Sequence, residues 1–336
     1  MSVSASSAPT LASRSFIRTV CGDIAPSDVG FAHCHEHTFL LPGPRCRVNA
    51  DYLLDDLAKT TAELAEFRAA DGRTLVDAQP IGPERSATLQ RMASERSGVN
   101  IVAATGFHRA IYYPADHFRF RESADALAER MIREVTEGMV EYHGSKAGKT
   151  TEVRAGLIKF ASDYHVIDAE AAKVAEAAAA AHRATGAPIL THTEHGTCGI
   201  EQIDLFQKLG VRPSALLICH LDRNPDLFLH EEVAQSGAYL VYDGISRVKR
   251  FPDSTLVGLI CRMAEGRHTS RILLGMDMAS RTMWRSYGGG PGLVYLGNVF
   301  LRRLRQAGMG VEQIRMFTEY NPSAALAFRN QPPDSR

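Results

Sequence analysis

Eight short apolar runs punctuate the chain, and most are separated by stretches of helical period. That alternation restricts the fold more than any other feature. The runs are residues 29–35, 74–77, 101–106, 155–160, 188–192, 215–220, 238–242 and 272–277. They are brief, rich in leucine or β-branched residues, and lack the apolar–polar alternation of a strand with one wet face, so they read as parallel strands covered on both sides. Between them, residues 51–70 and 123–142 carry apolar side chains at spacings of three and four. Residues 168–185 are dominated by alanine, the best helix former, and are stopped by Gly186 and Pro188. Residues 292–306 and 311–328 continue the helical period. The expected fold is α/β, a single (β/α)8 TIM barrel with its active site at the C-terminal ends of the strands. An open doubly wound sheet would want a Gly-x-Gly-x-x-Gly loop after its first strand; histidines and a cysteine stand there instead.

A barrel can use the whole length of 336 residues. The expected division is a flexible N-terminal tail over 1–15, the barrel over 16–328 and a C-terminal tail over 329–336. Lys+Arg and Asp+Glu balance at 38 each, which argues against the broad basic surface that grips nucleic acid. No run approaches the ~18 apolar residues of a membrane-spanning helix. The six cysteines form no Cys-x-x-Cys pair, and several lie inside apolar runs as ordinary buried thiols. A reducing cytoplasm is therefore the expected location. The Ser- and Ala-rich start lacks the charged and apolar segments of a signal peptide.

Chemistry gathers at the strand ends. The first run ends in His33-Cys34-His35-Glu36-His37, the fourth near Lys159, the fifth at His192, the sixth at His220 and the eighth at Asp277. In a barrel these ends converge although they are distant in sequence. Imidazoles and a carboxylate together suit a divalent transition metal. Period-two geometry puts His35 and His37 on one side of the strand, free to chelate one ion. Taken singly, a histidine at a strand end is more often a hydrogen-bonding core or surface residue than a ligand, and Asp277 could as well cap a helix. Lys159 is the odd member, because a buried ammonium is unfavourable unless neutralised or paired.

This set of residues resembles the amidohydrolase superfamily, and more narrowly its phosphotriesterase family. The resemblance is carried by residues 30–37 (Gly-Phe-Ala-His-Cys-His-Glu-His), 155–159 (Ala-Gly-Leu-Ile-Lys), 185–193 (Thr-Gly-Ala-Pro-Ile-Leu-Thr-His-Thr) and 220–226 (His-Leu-Asp-Arg-Asn-Pro-Asp). It extends over roughly residues 16–328 and implies two divalent metal ions, Zn²⁺ foremost, with Mn²⁺, Co²⁺ or Fe²⁺ as alternatives. His35, His37 and Asp277 would hold one ion, and His192 and His220 the other. Lys159 would be N6-carboxylated, so that a carbamate rather than an ammonium bridges the pair. A bridging hydroxide would attack, and Asp277 would take up the proton and deliver it to the leaving group. Asp222 would support the ligands from behind.

The family does not fix the substrate, since one metal site can open phosphotriesters, lactones and amides. The loops after the strands must choose. Residues 105–109 bring His108 and Arg109, residues 246–250 (Ser-Arg-Val-Lys-Arg) bring Lys249, and residues 281–292 bring Arg281 and Tyr287. Basic late loops suit an anion. They also resemble the branch of the family that hydrolyses phosphorylated sugar lactones, which nominates Lys249, Arg281 and Tyr287 for the phosphate. The expected activity is lactonase action on a small, anionic, phosphorylated sugar lactone. The alternatives are organophosphate triesters or acyl-homoserine lactones, which want an apolar pocket, a small anionic N-acyl amide, and a binding protein without catalysis. Homodimers are common at this size.

Overall fold

The computed structural model describes residues 15–329 apart from 44, 45, 47, 48, 83, 84, 144 and 145. All but one residue of each expected tail lies outside the described residues. Eight parallel strands form one sheet in chain order: β1 (Phe31–Glu36), β2 (Gly72–Asp77), β3 (Asn100–Gly106), β4 (Leu157–Ala161), β5 (Ile189–His192), β6 (Leu216–Cys219), β7 (Tyr239–Tyr242) and β8 (Ile272–Leu274). The sheet curls until its edges meet. Asp277 N donates to His35 O at 2.9 Å, joining the segment after β8 to β1. Gly275 permits that approach, because a Cβ there would lie 2.9 Å from His35 N. A second close contact is at Gly106, whose φ of +88° and missing Cβ let β3 end against the Lys159 carbonyl.

Helices cover the outside: α1 (Leu57–Ala69), α2 (Ala87–Ser97), α3 (Ala124–Thr136), α4 (Ala169–Thr185), α5 (Gly199–Lys208), α6 (Leu227–Ser236) and α7 (Asp253–Glu265), then three short segments, Leu301–Gln306, Val311–Arg315 and Asn321–Leu326. Local chemistry sets their starts. Asp56, Ser86, Ser123, Asp168 and Asp226 each accept a backbone N–H of the first turn of α1, α2, α3, α4 and α6 respectively. Gly186 ends α4 in the left-handed region at φ +76°.

Two expected helices are shorter than their periodicity suggests. Capping by Asp56 starts α1 six residues after position 51, and α3 stops at Thr136. Beyond α3 the chain turns into a hairpin of Val140–His143 and Lys146–Thr150, with Gly138 packed where a Cβ would strike the Thr151 carbonyl. The two closing helices are interrupted by single wide turns at Leu296–Phe300 and Met316–Tyr320.

The core has two compartments. Ile158, Phe160, Ile189, Leu216, Ile218 and Leu240 face the helices. Ala32, Cys34, Val76, Val102, Leu157, Leu190, Leu217, Val241 and Leu273 fill the barrel interior, with Ile17 and Leu326 in the same cluster. Each fully buried Leu or Val contributes about 1.5–3 kcal/mol relative to exposure. The interior is therefore a packed plug, and only its C-terminal mouth is left for chemistry.

Candidate active site

One pleat beyond the apolar plug the same strands change character. On β4 the interior residue Leu157 is followed two positions later by Lys159, and on β5 Leu190 is followed by His192. On β1 the alternation breaks: the register with β2 shifts between His33 and Glu36. Cys34 points into the plug, and His35 and His37 then both reach the mouth. His220 and Asp277 arrive by strained backbone, at φ +67° and +48°. Such conformations cost energy in residues other than glycine and gather at functional sites.

The side chains converge. His37 Nε2 lies 3.2 Å and His35 Nε2 3.7 Å from Asp277 Oδ1. The His35 and His220 rings are 4.9 Å apart between centroids, and those of His192 and His220 4.5 Å. His35, His37 and Asp277 offer ligand atoms close enough together for one ion. Lys159 is fully buried on β4, near enough to His35 and His192 to lower their pKa values, and burial lowers its own.

Each imidazole has one nitrogen engaged by an acceptor. Nδ1–H of His35 donates to Asp243 Oδ2 and Nδ1–H of His220 to Asp243 Oδ1, both at 2.7 Å. His37 Nδ1–H donates to Gln79 Oε1 at 3.0 Å. His192 is reversed: Nε2–H donates to Glu194 Oε2 at 2.8 Å, while the buried Nδ1 has no hydrogen-bond partner. Acceptors of this kind set the tautomer and orientation of metal-binding histidines, leaving the other nitrogen for the ion. Burial pushes His35 and His220 below the ordinary imidazole range and His192 to about 3, so all three are neutral, as ligands must be. The donor set and the orphaned Nδ1 fit a metal centre.

The carboxylates have distinct settings. Burial would raise Asp243, but the neighbouring His220 and His35 outweigh it and hold the group well below the carboxylate range. Burial opposes ionisation of Asp277 as well, and Arg247 and the histidines reverse it. Asp277 is two-sided: Oδ1 faces His35 and His37, while Oδ2 accepts Arg223 Nη2 at 2.9 Å and Arg247 Nη2 at 2.7 Å. Glu36 brackets it, taking the Met276 N–H on Oε1 and the Met278 N–H on Oε2. Asp222 lies behind Asp243, pushed up to about 7 by burial and the Asp243 charge, and accepts Gly244 N–H at 2.6 Å.

These groups line a cavity of about 240 Å³ whose walls include His35, His37, His192, His220 and Asp277, then His108 and Tyr112, then Arg223, Arg247 and Arg250. The His108 ring lies tilted against that of His192, with 4.7 Å between centroids. Arg109 donates Nε–H to Asp163 Oδ1 and forms an ion pair with Glu194. Lys249 is exposed and is not among the lining residues. The reason is local: Arg250 N–H donates to Arg247 O, so the chain turns with Val248 and Lys249 at its tip and the two arginines at its base. Arg281 and Tyr287 also lie outside the lining; Arg281 packs over the Tyr287 ring, and the Tyr287 hydroxyl accepts Asp56 N–H and donates to Asp56 O, tying this loop to α1.

Sequence reasoning did not single out Asp243, Gln79, Glu194, Arg223, Arg247 or Arg250. Asp243 follows the apolar run of β7 as Lys159 and His192 end theirs, and that signal could have found it. Gln79 and Glu194 carry no such mark.

A barrel whose mouth gathers four imidazoles, two carboxylates and a buried lysine defines a metal-dependent hydrolase. Residues 15–326 match the phosphotriesterase family, and the chain belongs to it. A phospho-furanose lactonase of Mycoplasmopsis agalactiae is 32% identical over 95% of this chain and 93% of its own. Among solved structures, an amidohydrolase from Mycoplasma synoviae superposes with a TM-score of 0.91 at 32% identity, over 95% of this chain and 94% of that one. The phosphotriesterase homology protein of Escherichia coli, complexed with phosphate in its active site, gives 0.82 at 28% identity over 89% of this chain and 99% of that one.

Proposed function

We propose that this enzyme opens a small phosphorylated sugar lactone at a two-metal centre. His35, His37 and Asp277 would hold one ion and His192 and His220 the other, with Lys159, as its carbamate, between them. Burial favours the neutral amine of Lys159, the form that adds to carbon dioxide. Imidazole and carboxylate donors suit Zn²⁺, Mn²⁺, Co²⁺ or Fe²⁺. When bound, the metals would lower the pKa of a water and polarise the lactone carbonyl.

The chain's own residues do the rest. Asp243 keeps His35 and His220 in one tautomer and orientation. The Asp277 carboxylate accepts the proton released on attack and returns it to the ring oxygen as it leaves. Arg223, Arg247 and Arg250 take the anionic group of the substrate. The observation that carries the substrate class is this trio on one wall. Burial, Arg223 and Arg247 all lower the pKa of Arg250, an excess of like charge that an anion relieves. An apolar substrate finds little to bind among these walls. None of the six cysteines is in a disulfide, which supports a reducing cytoplasmic setting.

The test is proton release by metal-reconstituted enzyme from four substrates: a pentonolactone phosphate, the same lactone without phosphate, a long-chain acyl-homoserine lactone and an anionic N-acyl amide. The phosphorylated lactone should have the highest kcat/KM, and removing the phosphate should lower it about 100-fold or more, the worth of two charge-assisted hydrogen bonds. Equal turnover of both lactones, or preference for the long-chain lactone or the amide, would overturn the assignment.

A further inference from the structure

His192 is held differently from the other three imidazoles. Its partner does not come from a neighbouring strand end or the loop after it, as Asp243 and Gln79 do, but is Glu194, two positions onward in its own loop. Glu194 and Arg223 stand on the shared wall between the metal cavity and a larger outer cleft of about 660 Å³. A carboxylate at such an edge has water as a competing partner and several rotamers to choose from, so by itself it would hold an imidazole poorly.

The structure supplies a clamp. Arg109, from the loop after β3, forms an ion pair with Glu194, its Nη1 lying 2.6 Å from Oε2, the oxygen that accepts His192 Nε2–H. Arg109 is fixed in turn by Nε to Asp163 Oδ1 at 2.5 Å, just beyond β4. Both side chains of the Arg109–Glu194 pair are largely covered, at 17% and 18% exposure, where an ion pair is screened less than on an open surface. The relay Asp163–Arg109–Glu194–His192 alternates in charge and ends on a neutral ring whose Nδ1 is buried and without a hydrogen-bond partner.

We infer that Glu194 and Arg109 are positioning residues of the metal centre: Arg109 fixes the Glu194 carboxylate, which holds the His192 ring with Nδ1 presented to the metal position. The inference rests on the two-metal reading. It gives Arg109 a role in building the site rather than in contacting substrate.

The experiment titrates metal-free protein with Co²⁺, following visible absorbance and heat, in the wild type and in Glu194→Ala, Glu194→Gln, Arg109→Ala and the Glu194→Ala/Arg109→Ala double variant. The wild type should take up two equivalents. Glu194→Ala should weaken one of them about 10- to 100-fold and spare the other. Glu194→Gln, whose amide oxygen still accepts from Nε2–H, should recover much of that loss. Arg109→Ala should weaken the same equivalent about fivefold, the worth of a partly covered ion pair. It should add nothing in the double variant, because it acts through the carboxylate. Two equivalents bound as tightly by Glu194→Ala as by the wild type would overturn the inference. So would an Arg109→Ala effect that persists in full in the double variant. If Glu194→Ala does not fold, Arg109→Ala decides alone: a loss confined to one equivalent supports the relay and unchanged uptake refutes it. A wild type that binds a single equivalent would overturn the two-metal reading, and this inference with it.

Discussion

The interior of the barrel has two ends built to opposite rules from the same strands. Toward the N-terminal end, Ala32, Val102, Leu157, Leu217 and Leu273 meet at the axis, and every atom buried there stabilises the fold. One pleat further along, Lys159, His192, His220 and Asp243 are equally buried. There, burial works against the charged form of every group and is offset only through specific partners. The lower end tolerates exchange among apolar residues of similar volume. The upper end does not, because Asp243 serves two imidazoles at once and Asp277 serves two histidines through one oxygen and two arginines through the other. The contrast teaches that burial without apolarity, on strands that otherwise obey the packing rule, marks the working end of the molecule.

The sharpest way to break the contrast is at Asp277. Asp277→Asn keeps the volume but removes the proposed proton acceptor, so kcat should fall about 10³-fold while the protein still unfolds in one cooperative transition. Steady-state kinetics beside calorimetry checks this; a residual kcat within tenfold of the wild type would contradict it.

Next come Asp243→Ala above and Leu217→Ala below. Asp243→Ala leaves the Nδ1–H groups of His35 and His220 without their acceptor, and metal affinity should drop about 100-fold. Leu217→Ala should cost about 2–5 kcal/mol of unfolding free energy yet leave kcat per folded molecule nearly unchanged. Metal titration and urea denaturation of both variants separate the two ends. Equal effects on both quantities would dissolve the distinction.

A smaller effect follows from pH. Burial lowers His35, His220 and His192, the last to about 3, whereas the unfolded chain's imidazoles take up protons near 6.5. Between those values the unfolded state binds more protons, so stability rises with pH and is lost progressively as pH falls through the window. Melting temperatures of the metal-free protein should therefore decline as pH drops below about 6.5; a flat or rising profile would contradict the buried, neutral histidines.

The smallest expected effect belongs to Lys249. At the exposed tip of its turn, Lys249→Ala should change KM for the phosphorylated lactone by less than about twofold. Arg250→Ala, at the base of the same turn, should raise KM about tenfold or more.

The strands were legible because a run covered on both faces must be apolar throughout, and all eight lie where those runs fall. Four of the covering helices, α2, α5, α6 and α7, did not announce themselves. They are 10–13 residues long, against 17 for the alanine-rich α4. At the site, His35, His37, Lys159, His192, His220 and Asp277 were readable from strand ends. Their partners were not, because Gln79 and Glu194 are polar residues in loops, indistinguishable in one dimension from solvated ones. The choice between Lys249 and its neighbours Arg247 and Arg250 turned on a single backbone hydrogen bond that no composition reveals. Asp243 was within reach, one residue past a recognised strand.

Anomalous X-ray scattering from crystals of the Zn²⁺-reconstituted enzyme, recorded at the zinc edge, tests the central claim most directly. Two peaks should appear in the barrel mouth, one among His35, His37 and Asp277 and one beside His192 Nδ1 and His220, with density for a carboxylated Lys159 between them. A single peak, or two peaks away from these side chains, would contradict the two-metal centre and the hydrolytic chemistry built on it.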